Sequence, residues 1–462
     1  MTLIKSISGI RGTIGGNTGD NLTPIDAVKF AAAYGSWQKG NKPNKHLKIV
    51  IGRDARISGE MISHLVVNTL IGIGIDVIDL GLSTTPTVEV MVPKLDADGG
   101  IILTASHNPK QWNALKLLNE VGEFISGEEG QKILEIAENE DFSFAEVDDL
   151  GKYSKYENAI DEHIEMILEL PLVNKKAIAE KKYKVVVDAV NSTGGIAIPR
   201  LLDKLGVDYV KLYCDPTGHF PHNPEPLKEH LTDISNKVVE ENADFGIVVD
   251  PDVDRLALIN EDGSMFGEEY TLVAIADYVL KKTPSATVSN LSSSRALRDI
   301  TNNYSQEYQP AAVGEVNVVT KMKELNAKIG GEGNGGIIYP ELHYGRDSLV
   351  GVALFLSHLA ENDLSVKELR DSYPAYFMAK KKIELTPEIN VDEILEKIED
   401  IYKNEEINTI DGVKIDFANE WAHLRKSNTE PIIRIYTEST SEEKANELAD
   451  QIINTIKEII NN

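Results

Sequence analysis

Three stretches of the chain alternate short apolar runs with helical patterns, and this limits the possible folds more than any other feature. The first lies between about Leu47 and Ser106 and contains the runs LKIVIG, DVIDLG and GGIILTAS. The second runs from about Tyr183 to Asp250, and the third from about Ala286 to Tyr339. Apolar strands separated by helical segments are typical of mixed or parallel sheets covered by helices. The sequence therefore predicts three similar α/β units.

The chain changes character from about Ala375 onward. Short apolar runs (GVKIDF, WAHLR and PIIRIY) are followed by a long amphipathic helix, for which Thr440 and Glu443 predict a capping box. This pattern predicts a small α+β domain. The segment AIDEHIEMILEL, which begins at Ala159, predicts a helix in the linker between the first two units.

The charge of the chain restricts its partners. With 47 Lys and Arg against 74 Asp and Glu in 462 residues, the formal charge is −27. Such a surface repels nucleic acid and anionic membranes, so an anionic substrate needs a locally basic pocket. The same charge also fits a solvated surface that keeps the protein soluble. The single cysteine, Cys214, and the lack of a long apolar run indicate a cytoplasmic protein without a membrane-spanning helix.

Polar loops follow the last apolar run of each α/β unit, where sheets of this kind bind ligands. In the second unit the loop DPDVDR places Asp250, Asp252 and Asp254 at alternate positions, which can bring three carboxylates to one hard cation. The spacing also nearly matches an EF-hand loop, although Arg255 stands where that loop needs glycine. A haloacid-dehalogenase type of phosphatase and a solvated acidic turn are the other readings.

The first loop, TASHNP, contains Ser106 and His107, and Lys116 follows ten residues after the serine. A Ser-His hydrolase is a weak reading, because neighbouring side chains diverge and no G-x-S-x-G elbow is present. A nucleophile with two groups that carry charge or protons instead suits a phosphoryl group on the serine.

Two more loops carry side chains suited to a phosphosugar. The segment RKSNTEP, with Arg434 beyond it, combines arginines, hydroxyls and an amide in the manner of a phosphate-binding turn. Glu332 and Asn334 lie among five glycines, where a carboxylate and an amide suit hydroxyl recognition. Arg11 and the segment GRDAR from Gly52 to Arg56 are unspecific by themselves.

Together and in this order, these segments resemble the α-D-phosphohexomutase superfamily of phosphoglucomutases, phosphomannomutases and phosphoglucosamine mutases. TASHNP with its downstream lysine, D-x-D-x-D-R, G-E-G-N-G and R-x-S-N-T-E-P-x-x-R are jointly very specific, and the resemblance covers nearly the whole chain. It implies an α/β fold of four domains around a central cleft. The domains expected are a phosphoserine domain at 1–160, a metal-binding domain at 161–266, a sugar-binding domain at 267–374 and a phosphate-binding domain at 375–462.

The resemblance also implies roles for individual residues. The expected phosphoserine is Ser106, and residues near the transferred phosphate, where general acid and base roles are assigned, are His107, Lys116 and Arg11. The expected metal ligands are Asp250, Asp252 and Asp254, together with the phosphorylated Ser106. The expected substrate contacts are Arg255, Glu332, Asn334, Arg425, Ser427, Asn428, Thr429 and Arg434.

The implied activity is an intramolecular phosphotransfer between O6 and O1 of a hexose phosphate, with Mg²⁺ and a hexose 1,6-bisphosphate intermediate or activator. The expected partner is a phosphosugar, and the protein is expected to be a monomer or a homodimer. G-E-G-N-G-G and TASHNPKQWNALK favour glucosamine phosphate as substrate, with mixed glucose and mannose activity as the alternative. A metal-dependent phosphatase and an inactive sugar-phosphate binder remain as other classes.

Overall fold

The computed structural model describes residues 2–6, 9–43, 45–385, 389–426 and 432–461. The chain divides into two compact units, the first formed by Met1–Thr271 with Gly335–Glu368 and the second by Leu272–Asn334 with Leu369–Asn462. Within the described ranges, none of the helices is both long and apolar enough to cross a bilayer.

The first unit begins with a mixed sheet in the order β1-β2-β6-β5-β3-β4-β7. Its strands are β1 Ile4–Ser6, β2 Gly9–Thr13, β3 Lys48–Arg53, β4 Asp76–Leu82, β5 Gly99–Leu103, β6 Trp112–Leu118 and β7 Tyr153–Lys155. Strands β4, β5 and β7 belong to its parallel part, whereas β5 pairs with β6 in antiparallel fashion. The helices around it are α1 Pro24–Asn41, α2 Gly59–Ile73, α3 Thr85–Lys94 and α4 Gly127–Asn139.

Helix α1 illustrates how the sequence determines where a helix begins and which face it buries. The Thr23 hydroxyl accepts a hydrogen bond from the backbone N–H of Asp26, and the Asp26 carboxylate accepts one from the backbone N–H of Thr23. Pro24 starts the first turn. The helix buries Phe30 in a core cluster that also contains Ile49 of β3 and Ile101 of β5. Burial of these apolar side chains fixes the strands whose carboxyl ends carry the site.

A second sheet in the first unit has the order β11-β10-β8-β9. Its strands are β8 Lys184–Asp188, β9 Asp208–Leu212, β10 Phe245–Val249 and β11 Leu256–Asn260. The helices of this region are α5 Ala159–Leu168, α6 Lys175–Lys181, α7 Gly194–Leu205, α8 Thr232–Glu240 and α12 Ser348–Asn362, and strand β15 spans Gly336–Ile338. Strand β10 is buried along its whole length and ends directly before Asp250. The helix predicted in the linker is confirmed as α5.

The second unit contains a parallel arrangement in the order β13-β12-β14 and an antiparallel sheet in the order β16-β20-β19-β18-β17. The strands are β12 Thr287–Asn290, β13 Tyr308–Ala311, β14 Ile329–Glu332, β16 Phe377–Glu384, β17 Glu406–Asn408, β18 Val413–Asp416, β19 Trp421–Lys426 and β20 Ile432–Ser439. The helices are α10 Ala296–Asn303, α11 Glu315–Leu325, α14 Val391–Ile401 and α15 Glu442–Asn461. Helices α9 Glu268–Lys282 and α13 Val366–Asp371 include residues at which the chain passes between the units.

The predicted fold class, three α/β units followed by a C-terminal α+β domain, is confirmed. The predicted helix cap is wrong by one residue. Helix α15 begins at Glu442, and the Ser441 hydroxyl accepts a hydrogen bond from the Lys444 N–H. Ser441 and Thr440 both carry a hydroxyl that can cap a helix, and in the structure it is Ser441 that directly precedes the first helical residue.

Polar contacts inside the second unit join the loop after β12 to strand β19. The Asp411 carbonyl oxygen lies 2.7 Å from His423 Nε2, so this nitrogen carries the proton and donates. His423 Nδ1 therefore accepts from the Ser292 hydroxyl at 3.0 Å. Burial lowers the pKa of His423 to about 4, against an ordinary value of 6.5, so its neutral form is the native one.

This histidine predicts a pH-dependent loss of stability. Between pH 4 and 6.5 the unfolded state binds more protons than the native state, so the free energy of unfolding falls as the pH falls through this range. From pH 7 to pH 5 we expect His423 to account for a loss of about 2 kcal/mol, which His423→Gln removes. The measurement is urea unfolding with Trp37 and Trp112 replaced by Phe, so that Trp421 reports on β19. Exposed His64→Gln is the control, and an unchanged pH dependence in His423→Gln contradicts the assignment.

Candidate active site

Ser106 stands in the loop that leaves β5, with its backbone held in a strained conformation. Its φ is +47°, in the left-handed region that residues other than glycine rarely adopt. The Ser106 N–H donates to Thr104 Oγ1 at 2.9 Å. The Ser106 hydroxyl donates to Asp250 Oδ2 at 2.9 Å, which brings the first and second predicted loops together.

Arg56, whose role was not defined by the sequence, stabilises the strained backbone at Ser106. The Arg56 guanidinium donates to four backbone carbonyl oxygens of the serine loop, those of Ser106, Asn108, Pro109 and Trp112. The bond to Asn108 measures 2.7 Å and that to Pro109 measures 2.8 Å. One buried cation thus holds the loop by its backbone, whichever side chains the loop carries.

Asp54 neutralises and orients this cation. Its Oδ2 accepts from Arg56 Nε at 2.9 Å and from the Thr104 hydroxyl at 2.7 Å, and both charged side chains are fully buried. A buried ion pair is costly to desolvate, and the added hydrogen bonds to Arg56 and Asp54 offset that cost. The sequence signal that identifies the pair is an Asp-x-Arg directly after the buried strand β3.

The aspartates of the second loop form the acidic centre of the site. Asp250, Asp252 and Asp254 are completely buried, and a carboxylate oxygen of each lies within 4.8 Å of the other two. The loop joins β10 to its antiparallel partner β11, so the EF-hand reading, which needs flanking helices, is wrong. Val253, between the last two aspartates, has a φ of +65°, a costly conformation for a β-branched residue.

Two cations and a hydroxyl bind one side of this acidic centre. Lys116 Nζ lies 2.8 Å from Asp252 Oδ2 and 3.5 Å from Asp254 Oδ2. The guanidinium of Arg346 donates to Asp254 Oδ2 at 2.7 Å, and the Thr85 hydroxyl donates to Asp252 Oδ2 at 2.6 Å. Thr85 and Arg346 could not be predicted as partners of this loop, because they are far from it in sequence and meet it only in the fold.

The other side of the acidic centre fits a divalent cation. Among the described residues, Asp252 Oδ1 and Asp254 Oδ1 are buried oxygens that accept no hydrogen bond. Three carboxylates with oxygens facing one point suit a hard cation such as Mg²⁺. Burial and the two neighbouring carboxylates raise the pKa of Asp250 well above its ordinary value. Burial opposes ionisation of Asp252 as well, but Lys116 outweighs it and lowers the pKa of Asp252.

The groups beside Ser106 differ in protonation. Burial, followed by the charge of Arg255, lowers the pKa of His107 well below 6.5, and its Nδ1 lies 3.4 Å from Ser106 Oγ. For Lys116, burial acts to lower the pKa, but Asp252 and Asp254 raise it above its ordinary value. At neutral pH, therefore, His107 is a neutral base and Lys116 is a cation.

Arg11 and Arg255 are the other two predicted site residues of the first unit. Arg11 lies on β2 in register with Ala114 of β6, the strand that carries Lys116. A small cleft of about 40 Å³ is lined by Arg11, Ser106 and Lys116, among others. Arg255 is almost fully buried, and its Nη1 lies 3.5 Å from Glu225 Oε1.

The remaining predicted residues belong to the second unit. Glu332 is buried at the end of β14, where its Oε1 accepts from Asn290 Nδ2 at 2.9 Å, and Asn334 Nδ2 lies 3.5 Å from Glu332 Oε2. Arg425 of β19 is directly opposite Arg434 of β20, and its Nε lies 2.8 Å from Asp411 Oδ2. Three predicted phosphate contacts lie outside the described residues, namely Ser427, Asn428 and Thr429.

Four family models match successive parts of this chain, all of the phosphoglucomutase/phosphomannomutase type. The alpha/beta/alpha domains I, II and III match residues 3–144, 161–263 and 267–376, and the C-terminal domain matches residues 382–455. The chain belongs to the phosphoglucomutase/phosphomannomutase family of phosphohexomutases.

Individual relatives extend over nearly the whole chain. A phosphoglucomutase/phosphomannomutase of Thermococcus kodakarensis is 36% identical, with 97% of this chain and 98% of that protein covered. A phosphoglucosamine/phosphogalactosamine mutase of Sulfurisphaera tokodaii is 33% identical, with 100% and 99% covered. The solved structure of a phosphoglucomutase/phosphomannomutase family protein from Burkholderia thailandensis has a TM-score of 0.85 at 26% identity, with 99% and 98% covered.

Because Arg56 donates to four carbonyl oxygens of the serine loop, we expect the conservative substitution Arg56→Lys to speed amide exchange in that loop. Arg56→Lys keeps the charge but loses the fork of donors, so the loop from 104 to 112 should open more often. Loss of charge-assisted bonds of about 2 kcal/mol corresponds to roughly thirtyfold faster amide exchange there. The measurement is hydrogen exchange followed by mass spectrometry.

Arg53→Lys is the matched control, because Arg53 stands at the end of the same strand and makes one 3.3 Å bond to the Asp54 carbonyl oxygen. We expect its exchange over residues 104–112 to equal that of the wild type. Equal exchange in Arg56→Lys and Arg53→Lys would show that Arg56 does not hold the loop.

Proposed function

We propose that this phosphohexomutase interconverts hexose 6-phosphate and hexose 1-phosphate through a phosphoserine at Ser106 and a bisphosphorylated sugar. The observation that carries the proposal is the 2.9 Å hydrogen bond from the Ser106 hydroxyl to Asp250, within a buried group of three aspartates. A serine in this position can hold a phosphoryl group where cations compensate its charge.

The reaction consists of two phosphoryl transfers in opposite directions. In the first, the bond from Ser106 Oγ to phosphorus breaks while the free hydroxyl of the sugar phosphate bonds to phosphorus, giving a hexose 1,6-bisphosphate. In the second, after the sugar has reoriented, its other phosphoryl group moves back to Ser106 Oγ and the opposite monophosphate is released. No phosphate is consumed, and a small amount of bisphosphate activates the unphosphorylated enzyme.

Proton movement follows from the protonation of the neighbouring groups. We assign His107 as the base that accepts the proton of the attacking sugar hydroxyl, because its pKa is lowered and it is neutral at pH 7. His107, whose Nδ1 lies 3.4 Å from Ser106 Oγ, passes this proton to the serine oxygen that leaves in the first transfer. In the second transfer it takes the proton back from the attacking Ser106 hydroxyl and gives it to the sugar oxygen that leaves. Lys116 and Arg11, as cations near Ser106, stabilise the charge that the phosphoryl oxygens carry in the transition state.

Asp250, Asp252 and Asp254 would hold Mg²⁺, with a group on Ser106 as a further ligand. The unsatisfied oxygens Asp252 Oδ1 and Asp254 Oδ1 within the described chain support this assignment. The ion, when bound, neutralises negative charge on the transferred phosphoryl group. Lys116 and Arg346 keep the carboxylates in place, since each donates to the acidic loop.

Further substrate contacts are assigned within each unit by itself, and in the first unit the assigned residue is Arg255. We assign Glu332 and Asn334 to the sugar hydroxyls. The phosphate that does not react is assigned to the arginine pair and its loop, namely Arg425, Ser427, Asn428, Thr429 and Arg434. The cross-strand pairing of Arg425 with Arg434 supports this, because it puts two arginine side chains on one face of the sheet, and two guanidinium groups suit a dianionic phosphate.

For the sugar we propose glucosamine phosphate, with mixed glucose and mannose phosphate activity as the alternative. Relatives over the full length include probable phosphoglucosamine mutases, among them one of Pyrococcus horikoshii at 34% identity, as well as the phosphoglucomutase/phosphomannomutase type. The candidate sugars differ only at C2, and Glu332 and Asn334 suit hydroxyls that all of them share. The preference therefore depends on the resemblance of the whole chain.

Ser106→Ala tests the covalent mechanism, because it removes the oxygen that carries the phosphoryl group. We expect isomer interconversion to fall by several orders of magnitude, with unchanged circular dichroism. Exposed Ser143→Ala is the control and should keep wild-type turnover. Inorganic phosphate is followed in parallel: release that keeps pace with substrate loss in the wild type indicates a phosphatase, and near-normal turnover of Ser106→Ala excludes the phosphoserine.

The choice of sugar is tested by comparing kcat/KM for glucosamine 6-phosphate, glucose 1-phosphate and mannose 1-phosphate. Each assay contains a catalytic amount of the matching bisphosphate. We expect the amino sugar to be preferred at least tenfold, or about 1.4 kcal/mol of transition-state discrimination. A tenfold preference for either neutral sugar overturns the glucosamine assignment and leaves the phosphoserine mechanism intact.

A further inference from the structure

A second cluster of metal-ligating side chains lies in the first unit. His163 comes from α5, whereas His343 and Asp347 come from the segment just before α12. His163 Nε2 lies 3.0 Å from Asp347 Oδ2, and His343 Nε2 lies 3.4 Å from the same oxygen. The side chains of His163 and Asp347 are completely buried, and 12% of the His343 side chain is exposed. Two imidazoles and one carboxylate thus converge on one buried point.

The remaining polar atoms of the three side chains each have an outer partner. His163 Nδ1 lies 3.0 Å from the Thr87 hydroxyl, and His343 Nδ1 lies 3.4 Å from Glu89 Oε2. Asp347 Oδ1 accepts from the N–H groups of Leu349 and Val350 at the start of α12. Histidines that bind metals almost always donate their second N–H to a carboxylate, a backbone carbonyl or water, and the Glu89 carboxylate beside His343 fits that pattern.

Charge within the cluster calls for an additional cation. Both ring nitrogens of His343 face a carboxylate, Asp347 on one side and Glu89 on the other. A neutral imidazole donates through only one of its nitrogens, so the other nitrogen of His343 can bind a cation that the two carboxylates attract. Zn²⁺ binds nitrogen and oxygen at about 2.0–2.2 Å, so ligand atoms around a tetrahedral ion stand roughly 3.3–3.5 Å apart. The separations of 3.0 and 3.4 Å are close to that spacing.

We propose that His163, His343 and Asp347 bind a second divalent metal ion, of the Zn²⁺ class, separate from the aspartate loop. Two imidazoles and a carboxylate favour a borderline transition metal, whereas the oxygen-only loop favours Mg²⁺. The ion has a structural role and does not depend on the proposed mutase reaction.

This metal site also stabilises the acidic centre, through the segment before α12 and through helix α3. Arg346 directly precedes Asp347 in the chain, and its guanidinium donates to Asp254 at 2.7 Å. Helix α3 carries Thr87 and also Thr85, whose hydroxyl donates to Asp252. A metal ion that ties α5 and α3 to the start of α12 therefore stabilises residues that position the aspartates.

The test uses the full-length protein, purified without a histidine tag, dialysed against chelator and then supplied with Zn²⁺ in excess Mg²⁺. After gel filtration, elemental analysis should find one zinc ion per chain in the wild type and in Asp252→Asn. His163→Gln and Asp347→Asn should bind Zn²⁺ at least about tenfold more weakly. Exposed His64→Gln is the control and should retain the ion.

Co²⁺ provides a readout that does not depend on folding of the variants. Added to the metal-free wild type, it should give the visible absorption of a four- or five-coordinate site with nitrogen ligands, and Zn²⁺ should abolish it. Failure of the wild type to retain zinc would show a protonated ion-pair network in place of the metal and overturn the proposal. Zinc lost from Asp252→Asn but kept by His163→Gln would overturn it too, because the ion would then belong to the aspartate loop.

Discussion

The buried ion pair between Arg56 and Asp54 holds the loop that carries Ser106 in its strained backbone conformation. Arg56 donates to the carbonyl oxygens of that loop, and Asp54 binds both Arg56 and Thr104, whose hydroxyl in turn accepts from the Ser106 N–H. Desolvation of the two charges opposes folding, and the shared hydrogen bonds compensate for it. The position of the Ser106 hydroxyl beside Asp250 therefore depends on two residues that do not contact that aspartate's carboxylate.

The acidic loop is a second constraint, because three carboxylates repel one another in a buried position. Lys116 and Arg346 neutralise part of this charge, and both come from distant parts of the chain. The carboxylate oxygens that they leave uncovered face the position where a divalent cation fits best. Electrostatics thus orders the site: cations on one side fix the loop, and the buried carboxylate oxygens that they leave uncovered fit a divalent cation.

The sequence was sufficient to predict the fold class, and it singled out the polar loops whose roles are proposed above. A buried strand that is directly followed by several polar or charged residues is a local signal, and it pointed to Ser106 and the three aspartates. The residues that hold these loops could not be predicted from a local signal. Arg56 is 50 residues from Ser106, and Arg346 is 92 residues from Asp254. The EF-hand alternative was excluded only when β10 and β11 were seen to form a hairpin. His163 had no predicted role beyond its place in the helix AIDEHIEMILEL, because Asp347, 184 residues away, lies beside it only in the fold.

The central claim, that the serine loop and the acidic loop together transfer a phosphoryl group, is tested most directly by mapping that group. The metal-loaded protein is mixed with glucosamine 1,6-bisphosphate, quenched within one turnover, and digested for mass spectrometry. The account predicts one phosphoryl group on the peptide with Ser106, released monophosphate in equal amount, and transfer at least about tenfold slower in Asp252→Asn. Phosphorylation of another residue, or inorganic phosphate formed without any phosphoserine, would contradict it.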